Sequence, residues 1–200
     1  MTDPTPTITR LRADEPVAKA FVLDPATGEL TSRPQGTVTN GDAEVLDTPS
    51  AAALAALIER LDPHDVVMTG RPSNGARTAT VKTDKRVRGL GEEAAARGIV
   101  ARTRDHFAFP PGPGWLLIDH DTKGMTDPVR ARVEALGGGL GALAHIWPDV
   151  LKGARVFKPS SSGGVYVEGG SPRAATGFHL FVLVEDVSRS AEALAALQAR

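Results

Sequence analysis

The sequence predicts an α+β fold, and three observations carry that expectation. Runs with strand character and runs with helix character interleave along the 200 residues without a strict repeat. The segment GFHLFVLVE (177–185) is apolar enough to sit in the middle of a sheet. Two Ala/Leu runs, SAAALAALIERL and SRSAEALAALQAR, have the composition of packed helices.

From the N-terminus, VAKAFVLD and ELTSR flank the turn-rich PATG and predict a hairpin with its tip at 25–28. Thr48 followed by Pro49 predicts a cap and a first-turn proline for the helix that follows, ending at Asp62-Pro63. VVMTG (66–70) is β-branched, closed by glycine, and predicts a strand. RPSNGARTATVKTDKRVRGLG is polar and glycine-punctuated, which predicts a mobile hairpin or loop. IVARTR (99–104) alternates and predicts a half-buried strand showing Arg102 and Arg104 on one face. WLLID predicts a strand after the loop FPPGPG. DPVRARVEALGGG and GLGALAHIWPDVLKG predict two helical segments broken by glycines. ARVFKPS, a Ser/Gly-rich loop, the 177–185 strand and a last helix complete the chain.

The formal net charge of -1 hides an uneven distribution. Residues 71–104 carry nine basic against three acidic side chains, an excess of six, whereas 1–70 carry five against eleven. Such a block attracts phosphates or forms a solvated surface. There is no cysteine, which rules out disulfides and thiolate metal sites and fits a reducing cytoplasm. No uninterrupted apolar run approaches the ~18 residues of a membrane span, and no signal-peptide pattern opens the chain. A soluble, cytoplasmic protein is expected. The chain stops at Arg200 directly after an amphipathic run, which suggests a longer parent.

Two stretches carry chemistry. GWLLIDHDTKGM places Asp119 and Asp121 two residues apart at the end of an apolar strand. At that spacing both carboxylates share a face and His120 takes the other, so the pair can hold a hard cation whose octahedron phosphate oxygens complete. The alternative is two hydrated acids at a strand end and turn. KPSSSGG (158–164) offers Lys158, Ser160, Ser161, Ser162 and glycine amides to phosphate oxygens, and His179 opens the strand at 177–185. The alternative is a linker with a packed histidine.

In this order, LLIDHD, two helical segments, SSSG and GFH resemble the archaeo-eukaryotic primase superfamily, in particular the primase-polymerase domains of plasmids, phages and integrated mobile elements. Its first motif is an apolar strand ending D-x-D; its second is S-x-H or S-G-x-G-x-H, into which VYVEGGSPRAAT is inserted here. The resemblance covers residues 99–200. It implies an RRM-like catalytic core there, continuing beyond Arg200, after an N-terminal α/β unit at 1–98 with the basic segment 71–104 at its end. It further implies a DNA primase or primase-polymerase, a nucleotidyltransferase acting in DNA replication of a mobile element. Asp119 and Asp121 would hold Mg²⁺ or Mn²⁺ and do the catalysis. Lys158, a serine among Ser160, Ser161 and Ser162, and His179 would bind the NTP or dNTP. Arg71, Arg77, Lys82, Lys85, Arg86, Arg88, Arg102 and Arg104 would follow single-stranded DNA, with Phe107 and Phe109 as candidates for stacking on a base. The family's third motif, a lone acidic residue on a later strand, has no counterpart before Arg200; Glu185 and Asp186 sit at the far end of the histidine strand. A helicase domain would be expected in the parent chain.

Two other readings stand beside this one. LLIDHDTKG also resembles the D-x-D-x-T motif of haloacid dehalogenase-like phosphohydrolases, with Asp119 as nucleophile in a Rossmann-like domain. The third is a catalytically silent single-stranded DNA-binding module of a replication initiator.

Overall fold

The structure is a computed structural model that describes residues 4–24, 26–27, 30–34, 36–160 and 177–198. It is α+β. Its first half contains β1 (Thr7–Ala13), β2 (Lys19–Leu23), β3 (Leu30–Pro34), β4 (Asn40–Asp47), α1 (Ala51–Glu59), β5 (Asp65–Met68), β6 (Arg71–Pro72), β7 (Thr78–Lys82), α2 (Asp84–Leu90) and α3 (Glu92–Ala96). The chain continues through β8 (Ile99–Ala101), β9 (Phe107–Ala108), β10 (Gly114–His120), α4 (Asp127–Ala135), α5 (Gly138–Ile146), β11 (Arg155–Pro159), β12 (Phe178–Val184) and α6 (Ser190–Gln198). Short 3₁₀ turns precede β11 and α6. Five strands form one sheet in the order β5-β1-β4-β7-β8, and three form a second in the order β10-β12-β11. Among the described residues no helix is long and apolar enough to cross a membrane.

The predicted hairpin is present as the antiparallel pair β2 and β3, with its tip only partly within the described residues. The predicted α1 is present, but its cap is Ser50, whose hydroxyl accepts the Ala53 N–H at 3.2 Å, and not Thr48. Thr48 is drawn into the core instead, as the partner of Trp115. Arg60 is the C-cap, so α1 stops short of the expected Asp62-Pro63.

The basic segment departs most from expectation. It is not a loose hairpin: β7 and β8 run parallel, joined by α2 and α3, and Val87 and Ala94 pack on Ile99 and Ala101. Parallel strands need a crossover, and the short helices supply it. All three residues of β8 are buried, and Arg102 and Arg104 lie in the bend and turn that follow, not on a half-buried strand. The strand at 99–101 closes the first sheet, and the chain enters the second sheet only at Gly114.

Both faces of the three-stranded sheet are covered, which explains its apolar sequences. Trp115, Leu117, Phe181, Leu183 and Val156 meet Leu54 and Leu57 of α1 and Ile8, Leu46 and Val67 of the first sheet. On the other face Ile118, Phe178, Leu180, Val182 and Val184 meet Leu140, Leu143, Trp147 and Val150. The expected break between the two helical segments falls at Gly137, which is left-handed at φ 88°.

Asp186 ties the approach to β10 to the last helical region. Its carboxylate accepts the Ser188 hydroxyl (2.7 Å), the Ser188 N–H (3.0 Å) and the Gly112 N–H (3.2 Å). The Ser188 hydroxyl, then the two backbone donors, hold this carboxyl below its usual range. A lowered pKa in the folded state contributes stability that is present above the unfolded carboxylate pKa and lost as pH falls through the folded value. Asp186→Asn should therefore lower Tm at neutral pH, with the difference from the parent chain vanishing on acidification below the carboxylate range. A thermal melt series against pH that shows a constant difference would contradict this origin.

Candidate functional site

Alternation along β10 sends Trp115, Leu117 and Asp119 to one face and Leu116, Ile118 and His120 to the other. Cross-strand partners in an antiparallel sheet share a face. Asp119 pairs with His179, and His179 pairs in turn with Lys158. Asp119, His179 and Lys158 thus form one transverse row across all three strands, at the end of the face that packs on α1. Behind them, Leu117, Phe181 and Val156 form the next row, which is apolar and belongs to the core. The polar row begins where the packed seam ends.

His179 Nε2 lies 3.3 Å from Asp119 Oδ1, with the side chains 39% and 66% exposed. The contact is an ion pair when the imidazole is protonated and an orienting contact when it is not. Asp121 is not on the strand: β10 ends at His120, and one Asp121 oxygen accepts the Lys123 N–H at 2.9 Å in the turn. The turn chemistry of an Asp followed by a glycine-containing stretch ends the pleat one residue early. The Ser160 N–H donates to the Gly177 carbonyl at 2.9 Å, joining β11 and β12 beside the row. Ser161 and Ser162, and the insertion at 165–176, lie outside the described residues.

The oxygen donors suit a hard divalent cation. Mg²⁺ is commonly held by one or two carboxylates plus substrate phosphates, and Asp119 and Asp121 are two exposed carboxylates two residues apart. Among the described residues there is no group of three or more His, Asp or Glu side chains that could hold a metal ion.

A cleft of about 400 Å³ is lined by Met68, Thr69, Arg102, Arg104, Phe109 and, from β10, Leu117 among others, and none of Asp119, His179 and Lys158 lines it. Leu117 is two residues from Asp119 on the same face, roughly 7 Å along the strand. The Thr103 hydroxyl in the cleft wall is buried and makes no hydrogen bond among the described residues. Both Phe107 and Phe109 line the cleft, but Phe107 is buried in the core whereas Phe109 is 41% exposed. Met68 and Thr69 had no sequence signal; only the packing of the two sheets brings them here.

The eight expected DNA-contacting residues divide by place. Arg102 and Arg104 line the cleft. Lys85 and Arg86 line a separate depression on α2. Arg77 and Arg88 are engaged by Asp47 (2.9 Å) and Asp84 (2.6 Å). Arg71 lies on β6 opposite Ala108, and Lys82 ends β7.

The dehalogenase reading places Asp119 in a Rossmann-like domain, whose sheet is mostly parallel. Here β10 is an edge strand antiparallel to β12, and among the described residues the parallel pair is β7 with β8. Comparison of the chain with protein-family models, with curated proteins and with solved structures gives no match.

Proposed function

We propose that this chain is a metal-dependent, template-directed nucleotidyltransferase domain, a DNA primase or primase-polymerase of the archaeo-eukaryotic kind, whose three-stranded sheet belongs to an RRM-like core. The observation that supports this reading is the row of Asp119, His179 and Lys158 on one sheet face; Leu117, two residues before Asp119 on the same strand and face, lines a cleft that carries Arg102 and Arg104. A carboxylate, an imidazole and an ammonium in one line match a nucleoside triphosphate with its cation.

Asp119 and Asp121 would hold Mg²⁺ or Mn²⁺, which when bound neutralises phosphate charge and lowers the pKa of the attacking hydroxyl. When its imidazole is protonated, His179 donates from Nδ1 to a phosphate oxygen while the Asp119 carboxylate on Nε2 orients the ring. Lys158 adds a point charge to the same phosphates. Arg102 and Arg104 neutralise backbone phosphates of single-stranded DNA, and Phe109 offers its ring to a base.

The test is His179→Ala, titrated separately with a nucleoside triphosphate plus Mn²⁺ and with single-stranded DNA. The half-exposed ring can be removed without a large cavity, and circular dichroism checks the fold. Nucleotide affinity should fall while DNA affinity stays at the parental value. Parental affinity for both ligands would leave a silent DNA-binding module as the better reading, and parallel losses through a lower Tm would make His179 a packing residue.

A further inference from the structure

A second cavity, of about 430 Å³, opens on the opposite face of the same sheet end. His120 and Phe178, the chain neighbours of Asp119 and His179, point into this opposite side, because successive strand residues alternate faces. Their rings stack, with centroids 4.8 Å apart and planes 26° from parallel. Phe157 extends the stack on Phe178 at 5.1 Å and 37°, and is itself 49% exposed. Three rings thus form a ladder across β10, β12 and β11, ending in an open aromatic surface within the cavity lining.

The ladder is held from behind by a glycine. A Cβ at position 139 would collide with the His120 imidazole. Glycine weakens a helix relative to alanine, and here it lets α5 approach the ring closely. Arg130 and Glu134 stand at the cavity wall. A flat aromatic surface, one guanidinium and one carboxylate in a space of this size match a nucleotide. The base stacks on Phe157, the carboxylate accepts from an exocyclic amine, and the guanidinium takes a phosphate.

We infer that this cavity is a second nucleotide-binding site, which takes a nucleobase by stacking and needs no metal. It is separate from the row of Asp119, His179 and Lys158 and does not depend on the function proposed for that row.

The test is titration of adenosine monophosphate into the chain in EDTA, followed by calorimetry. Saturable binding is expected. Phe157→Ala should weaken it at least about fivefold, the lower end of base–aromatic stacking. Phe157→Leu keeps apolar bulk without the ring, so it should weaken binding similarly with Tm unchanged. Asp119→Asn should bind the monophosphate like the parent chain. Absence of saturable binding in EDTA, parental affinity in Phe157→Leu, or loss of binding in Asp119→Asn would each overturn the inference.

Discussion

Asp119→Asn is expected to remove Mn²⁺-dependent nucleotide binding and any nucleotide incorporation by on the order of 10²-fold or more, while the protein stays folded. Groups that only orient metal ligands already contribute about 10–100-fold, so loss of a direct carboxylate ligand should do at least as much. The fold should be indifferent, because Asp119 is two-thirds exposed and its ion-pair partner among the described residues is His179 at 3.3 Å. Asparagine keeps the size and removes the charge, which isolates the electrostatic role. Titration with nucleotide and Mn²⁺, with a melting curve in parallel, makes the comparison. Parental affinity would remove Asp119 from the metal site, and a stable phosphoryl-enzyme formed at Asp119 from a phosphate ester would favour phosphohydrolase chemistry.

Trp115→Ala should cost about 3–5 kcal/mol, the range for deleting a large aromatic from a core. Trp115 is fully buried, at the seam where the three-stranded sheet meets α1 and the first sheet. Its indole N–H donates to the Thr48 hydroxyl at 2.8 Å and to the Thr48 carbonyl at 3.1 Å. A loss of that size is a large part of the ~5–15 kcal/mol that holds a domain together. Trp115→Phe separates the terms: it fills most of the volume and leaves Thr48 without its donor, so a smaller loss of about 1–3 kcal/mol is expected. Chemical denaturation measures both. A change under ~1 kcal/mol for Trp115→Ala would mean that the seam contributes little to stability.

Local patterning was legible where apolar runs or turn residues mark an element. The strand around WLLID, the mid-sheet position of 177–185 and the glycine break between α4 and α5 could all be read from alternation, apolar runs and turn chemistry. So was the pairing of opposite roles at 119 and 120, since a strand must send neighbours to opposite faces. The strands β1 and β4 were not legible, although they lie inside the first sheet. Their buried positions include Thr9, Gly41 and Ala43, small or polar side chains whose burial depends on strands far away in the chain.

By itself, then, the sequence determined where charged or titratable groups stand at the ends of apolar runs: Asp119, Asp121, Lys158 and His179. Tertiary structure decided which of them meet. Cross-strand register put Asp119, His179 and Lys158 in one row and left Asp121 in the turn. Packing of the two sheets brought Arg102, Arg104 and Phe109 to a cleft that also takes in Leu117 of β10 and kept Lys85 and Arg86 on a different surface. The physical reason is that strand alternation is local, with a period of two residues, whereas register and sheet packing are set by contacts between segments tens of residues apart.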